Sequence, residues 1–160
     1  MSNAPASPPA TWEIWFDGAA FPNPGRMGLG ALILGPNGER YECSLAHPEP
    51  GCNNEAEVRA LLHALERIRQ AGASHAPILA RGDSDFAIRH LRDALETRVP
   101  HLQTLLTTTR QTLTHFPALQ LAWVPRHRNS AADKLSRGAL GLVDKPAEVP
   151  RGKKRRRGRR

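Results

Sequence analysis

The amino-acid sequence predicts an α/β domain, a mixed sheet covered by helices, on two observations. The first part of the chain holds three short β-like runs, the second and third joined at Asn37-Gly38, a tight hairpin signal. Beyond them, strand-like runs alternate with helical periodicity, which calls for a sheet with helices packed on it. Taken in order, Trp12 to Asp17 alternates, with Trp12, Ile14 and Phe16 on one face. Phe21 to Arg26 (FPNPGR) has the chemistry of a loop. Gly28 to Leu34 is the second strand and Glu39 to Leu45 the third. A long helix is expected over about Asn54 to Ala71, because Val58, Leu61, Leu62, Leu65 and Ile68 recur at helical spacing. Pro77 to Gly82 reads as a short buried strand, and Ser84 to Glu96 and Pro100 to His115 as helices. Leu119 to Val124 is the last strand, and Asn129 to Leu142 a closing helix. No internal repeat interrupts this order.

With 160 residues the chain is long enough for one domain and short for two. No stretch approaches the roughly 18 to 20 apolar residues of a membrane span, so no membrane partner is expected. The opening residues MSNAPASPPA have neither a basic segment nor an apolar one, so they do not read as a secretory signal. A disordered lead over residues 1–10, a domain over 11–143 and a tail over 144–160 are expected, in a cytoplasmic, monomeric protein.

Charge sharpens the picture. The net charge is +8, from 23 Lys plus Arg and 15 Asp plus Glu. Eight of the cations and none of the acids lie in residues 151–160 (RGKKRRRGRR), so residues 1–150 balance at 15 of each. A block of that kind repels itself and stays unfolded. It attracts phosphate by counterion release without reading sequence, which points to nucleic acid as the partner of residues 151–160. Cys43 and Cys52 are the whole thiol inventory and are expected reduced. Cys43, His47 and Cys52 lack the tight spacing and fourth ligand of structural zinc.

Four acids fall at predicted element ends, where α/β folds place ligands. Asp17 ends the first strand and Asp83 the fourth, while Glu57 and Asp133 lie in first helical turns. Each has an alternative structural role. First-turn acids complement the helix dipole; Asn54 with Glu57 and Ser130 with Asp133 fit capping boxes, and Asp17 and Asp83 fit turn starts. At about 100° per residue, however, Glu57 lines up with Leu61, Ala64 and Ile68, the inward stripe, whereas Glu55 does not. A carboxylate on a buried face must be paired or bound to a cation. Asp133 projects away from Leu135, which leaves its direction open. Should the four converge, their repulsion would demand cations among them, and hard divalent ions with oxygen ligands, Mg²⁺ or Mn²⁺, are the fitting ones. Two such ions can activate water and stabilise a leaving oxygen at phosphate.

The residues also carry a family pattern. Trp15-Phe16-Asp17-Gly18-Ala19, then Asn23-Pro24-Gly25 and Gly28-Leu29-Gly30, resembles the opening of type 1 ribonuclease H. Asn53-Asn54-Glu55-Ala56-Glu57, Gly82-Asp83-Ser84, and Val124-Pro125-Arg126 with Asn129 and Ala132-Asp133-Lys134-Leu135 resemble its three later motifs, in order and spacing from about Trp12 to Leu140. The resemblance implies the ribonuclease H-like fold, a five-stranded mixed sheet with helices on both faces. It implies Asp17, Glu57, Asp83 and Asp133 as catalytic ligands of two metal ions. The implied activity is hydrolysis of the RNA strand of RNA–DNA hybrids, leaving 3′-hydroxyl and 5′-phosphate ends. Substrate contacts are implied at Gly18, Asn23, Asn53, Asn54 and Ser84, asparagine amides being suited to ribose hydroxyls and minor-groove base edges; a plain turn role for Asn23 and Asn53 competes.

Four features depart from the family pattern. Cys52 stands where Thr is usual, Asp85 stands near a usual Gln, and Glu96 to His101 is too short for a basic protrusion. The shorter form resembles the archaeal-type subgroup, also found in bacteria, and residues 151–160 are expected to replace the lost grip. The mobile histidine of the family has no clean counterpart; Arg126 is the expected substitute, with His127 the alternative. Arg81-Gly82-Asp83 spells an adhesion tripeptide at a buried strand end and carries no such meaning here. No Gly-x-Ser-x-Gly elbow or phosphate-cradling Gly-Lys-Ser/Thr loop is present. Two rivals stay open: a non-catalytic nucleic-acid binding protein on the same core, and another nuclease of the superfold.

Overall fold

The structure is a computed structural model that describes residues 10–142. Expectations for the N-terminal lead before residue 10 and for the basic tail lie outside the described residues. The elements follow as β1 (Trp12–Phe21), β2 (Arg26–Leu34), β3 (Arg40–Ala46), α1 (Asn53–Gln70), β4 (Ile78–Gly82), α2 (Asp85–Leu91), α3 (Pro100–Leu113), β5 (Leu119–Trp123) and α4 (Ser130–Ala139), with a single 3₁₀ turn at Arg126–Arg128 before α4.

One five-stranded sheet runs in the order β3-β2-β1-β4-β5. The first three strands form the antiparallel meander, and β4 and β5 pair parallel to β1 and to each other. The mixed sheet read from the sequence is the one observed. Alternation sets its two faces. Trp12, Ile14 and Phe16 join Leu29, Ala31 and Ile33 of β2 in one core with Leu61, Leu65 and Ile68 of α1. Gly28 and Gly30 turn to the opposite face, where α4 lies. β2 is therefore buried on both faces, and its run of Gly, Ala and aliphatic residues fits that position.

Differences from the sequence reading cluster at element ends. β1 continues past Asp17 to Phe21, because a ladder with β2 persists to Phe21↔Arg26, so Asp17 lies inside the strand. The helix expected over Ser84 to Glu96 stops at Leu91; Arg110 of α3 donates to the carbonyls of His90 and Leu95, and Ala94 takes a positive φ of 54°. α3 ends at Leu113 and α4 at Ala139, short of His115 and Leu142. Neither expected capping box forms. Cys52 caps α1, its Sγ accepting from the N–H of Glu55, and Asn129 precedes α4 without a side-chain cap. Ser84 does cap α2, its Oγ accepting from the N–H of Ala87 at 3.0 Å. Among the described residues no helix is long and apolar enough to cross a membrane.

Candidate metal centre

The carboxylates meet because β1 outruns β4. Parallel pairing of the two strands ends at Phe16↔Gly82, after which β1 continues beside β2 alone. Asp17 on β1 and Asp83 just past β4 flank the opening this leaves. Glu57 is brought in from α1 by a backbone approach that only glycine permits. A Cβ at Gly18 would stand 2.2 Å from the carbonyl carbon of Ala56 and 2.4 Å from the nitrogen of Glu57. Ligand oxygens of Asp17, Glu57 and Asp83 all lie within 4.8 Å of one another.

Asp133 does not join that trio. It lies half-buried in the first turn of α4 and lines the same cleft, of about 180 Å³, with Arg126 and Arg137. A larger cleft of about 470 Å³ lies between Leu91, Leu113, Phe116 and Leu121, away from the acids. It is mostly apolar and offers no carboxylate, so the smaller cleft is the chemical one.

The electrostatics are those of a site short of positive charge. Burial pushes the Asp17 carboxyl up to about 7, the charges of Asp83 and Asp133 add to the rise, and a hydrogen bond from Ser136 opposes it. Burial pushes the Glu57 carboxyl up to about 9, with Asp17 and Asp83 adding and Arg126 opposing. Asp83 is raised by burial, against hydrogen bonding from Asn129 and the charge of Arg126. Glu57 Oε2 is buried and has no hydrogen-bond partner among the described residues. Such an oxygen calls for a cation. An oxygen-only donor set with an orphaned buried carboxylate oxygen fits a hard divalent ion.

The other predicted residues fall into two groups. Gly18 and Asn53 line the cleft, and so does Arg126 on the 3₁₀ turn. Gly18 is buried against α1, however, and Asn53 Oδ1 is occupied by the N–H of Ala20 at 2.7 Å. Asn23 Oδ1 accepts from the N–H of Asn53 at 3.1 Å, so these two asparagines tie the loop after β1 to the start of α1. Asn54 is exposed at the first turn of α1, and Ser84 is a buried cap. His127 is exposed.

Two supporting residues had no role assigned from sequence. Asn129, buried, donates through Nδ2 to the Phe16 carbonyl at 2.9 Å and hydrogen-bonds Asp83. Ser136, fully buried, donates to Asp17 Oδ2 at 3.0 Å. The signal for Ser136 was present: with Ala132 it forms an i, i+4 small-residue pair facing the glycines of β2. Cys43, His47 and Cys52 form no ligand group; among the described residues the acidic trio is the one such group found.

A β3-β2-β1-β4-β5 sheet with carboxylates gathered where β1 and β4 part defines a ribonuclease H-like domain. The profile of the family described as reverse transcriptase-like matches residues 15–139. Ribonuclease HI of Halobacterium salinarum is 33% identical over 128 residues, 80% of this chain and 63% of that protein. The crystal structure of RNase H1 from the same archaeon superposes with a TM-score of 0.74 at 32% identity, covering 82% of this chain and 98% of that one. LC11-RNase H1, solved in complex with an RNA/DNA hybrid, gives 0.74 at 28% identity, covering 81% and 96%. The chain belongs to the reverse transcriptase-like family, in its type 1 ribonuclease H branch. It spans about 63% of the length of the Halobacterium ribonuclease HI, and 36% of a mycobacterial bifunctional relative, Rv2228c.

Proposed function

We propose that this chain is an endoribonuclease that hydrolyses the RNA strand of RNA–DNA hybrids, leaving 3′-hydroxyl and 5′-phosphate ends. The observation that carries the reading is the trio of carboxylates within 4.8 Å, one of whose buried oxygens lacks a hydrogen-bond partner among the described residues. Asp17, Glu57 and Asp83 hold two divalent ions, Mg²⁺ or Mn²⁺, and Asp133 completes the set from the wall of the cleft. Bound ions of this kind supply water activation and charge neutralisation at phosphate. The protein supplies the rest. Asn129 and Ser136 hold two of the acids in place, and Gly18 sets the depth of Glu57. Arg126, at the lip, is the cation that faces the transferring phosphate and stands in for the family's mobile histidine. Exposed Asn54 and the amide of Asn53 reach ribose hydroxyls and base edges, with Asn23 bracing them and Ser84 fixing the helix beside Asp83.

The basic residues 151–160 serve the same substrate. Leu142, the last described residue, lines the cleft. Residues 151–160 replace the grip of a basic protrusion through phosphate contacts. Deleting residues 147–160 should raise KM for hybrid and flatten its salt dependence; an unchanged KM at low salt would dispose of this role.

The test of the whole reading uses a labelled hybrid, duplex DNA and duplex RNA with Mg²⁺ or Mn²⁺, comparing the wild type with Asp17→Asn. Cleavage of the hybrid by the wild type alone is expected. Binding without cleavage by either protein would make the chain a nucleic-acid binding protein, and cleavage of duplex DNA would make it another nuclease of the superfold.

A further inference from the structure

We infer that Ser136 is a positioning residue for the metal centre, pinning one oxygen of Asp17 so that the carboxylate presents the other to a cation. The inference rests on the reading of the acidic trio as a cation site.

Three observations place the hydroxyl. First, Asp17 pairs with Gly30 across the β1–β2 ladder, so whatever packs over Gly30 lies beside Asp17. Second, Gly28 and Gly30 let the backbone of α4 come down onto β2. A Cβ at Gly28 would stand 2.1 Å from the Ser136 carbonyl oxygen, and one at Gly30 2.4 Å from the Ser136 nitrogen. Third, the fully buried Ser136 then stands with Oγ 3.0 Å from Asp17 Oδ2 and 3.0 Å from the carbonyl oxygen of Asp133.

The hydroxyl has one proton and two acceptors. A serine inside a helix normally satisfies itself by bonding back to the preceding turn, here to Asp133. An ionised carboxylate is the stronger acceptor, so the proton goes to Asp17 when that group carries its charge. The bond costs α4 little, since the Asp133 carbonyl keeps its place in the helix. It stops rotation of the Asp17 carboxylate, whose side-chain donor among the described residues is Ser136. Metal-ligating carboxylates are commonly held by such hydrogen bonds, and loss of one costs roughly 10- to 100-fold in metal affinity. Ser136 also joins Asp17 to the helix turn that carries Asp133.

The test is titration of Mn²⁺ into protein without nucleic acid, followed by electron paramagnetic resonance, for wild type, Ser136→Ala and Ser136→Cys. Cysteine nearly keeps the side-chain volume but is a far weaker donor, which guards against a void left by alanine. Both variants are expected to bind Mn²⁺ about tenfold more weakly, and to show a smaller rise in Tm on adding Mn²⁺. The kcat for hybrid should recover at saturating Mn²⁺. Wild-type affinity in Ser136→Cys would make the serine a packing residue and overturn the inference, as would an equal fall in Tm with and without Mn²⁺. If the wild type itself binds no Mn²⁺, the cation site fails and the inference fails with it.

Discussion

The two helices that reach the acidic centre do so by the same steric device and with opposite results. α1 comes down on β1 over Gly18, and α4 comes down on β2 over Gly28 and Gly30; in each case a Cβ would run into helix backbone. α1 uses the approach to deliver a carboxylate, Glu57, directly into the trio. α4 keeps its carboxylate, Asp133, on the cleft wall and delivers a hydroxyl, Ser136, to the acid already there. The difference lies in where the acid stands on each helix. Glu57 shares the buried stripe of Leu61, Ala64 and Ile68, whereas Asp133 stands one residue past the buried Ala132. A glycine under a helix therefore fixes how near the helix comes, and helical phase then decides which side chain benefits.

The sharpest way to break this symmetry is Gly18→Ala. The new methyl would meet the backbone at Ala56 and Glu57, with no flexible side chain to give way. Overpacking of this kind typically costs 1 to 3 kcal/mol, and a backbone clash belongs near the top, about 3 kcal/mol. The expected outcome is a lower Tm together with loss of hybrid cleavage, because Glu57 is displaced from Asp17 and Asp83. A variant with wild-type Tm and activity would show that the β1–α1 contact does not set the site.

A second prediction separates the charge on α1 from its packing. In metal-free protein the folded-state carboxyls of Asp17 and Glu57 sit at about 7 and about 9, far above ordinary carboxylates. The folded state thus binds protons that the unfolded chain releases, so the associated stability is full below about pH 4 and is lost as pH rises through 7 and 9. In EDTA, Tm should fall between pH 5 and pH 9 as these groups ionise. Glu57→Gln, which resembles the protonated acid, should flatten the upper part of that fall and raise Tm at pH 9. The two Tm profiles running parallel would mean that Glu57 is already ionised at pH 5. Added divalent cation takes the place of the protons, and cleavage should therefore rise with pH over the same range.

Much of this arrangement was legible in the sequence, for identifiable reasons. Alternation in Trp12 to Phe16 and the helical stripe from Val58 to Ile68 each record burial on one face, and burial is what packing preserves. That is why the sheet, α1 and the inward direction of Glu57 could be read. What escaped depends on partners distant in sequence. β1 extends to Phe21 because β2 pairs with it there, although the local turn residues argue for an earlier end. α2 stops at Leu91, where Arg110, 15 residues beyond Leu95, takes the carbonyls that a longer helix would have used. Capping boxes at Asn54 and Ser130 were plausible locally, but the chain enters both helices one or two residues earlier. Ser136 escaped because a serine in a polar-looking helix reads as surface, and its i, i+4 pairing with Ala132 gains meaning only against the glycines of β2, a hundred residues away.

The smallest predicted effect returns to α4 and isolates what its glycines on β2 do. Gly138 lies within α4 and is exposed: a Cβ there would meet nothing within 4 Å among the described residues. With no close approach to protect, its main effect is entropic, a glycine in a helix being worth roughly 0.5 to 1 kcal/mol less than alanine. Gly138→Ala should therefore raise stability, by about 0.5 kcal/mol since the position is near the helix end where fraying dilutes propensity, and leave cleavage unchanged. Gly30→Ala, in contrast, would push α4 off β2 and pull Ser136 away from Asp17. If Gly138→Ala destabilised the protein as Gly30→Ala should, sensitivity to added bulk would belong to α4 as a whole, and the seat over β2 would lose its special role in placing Ser136.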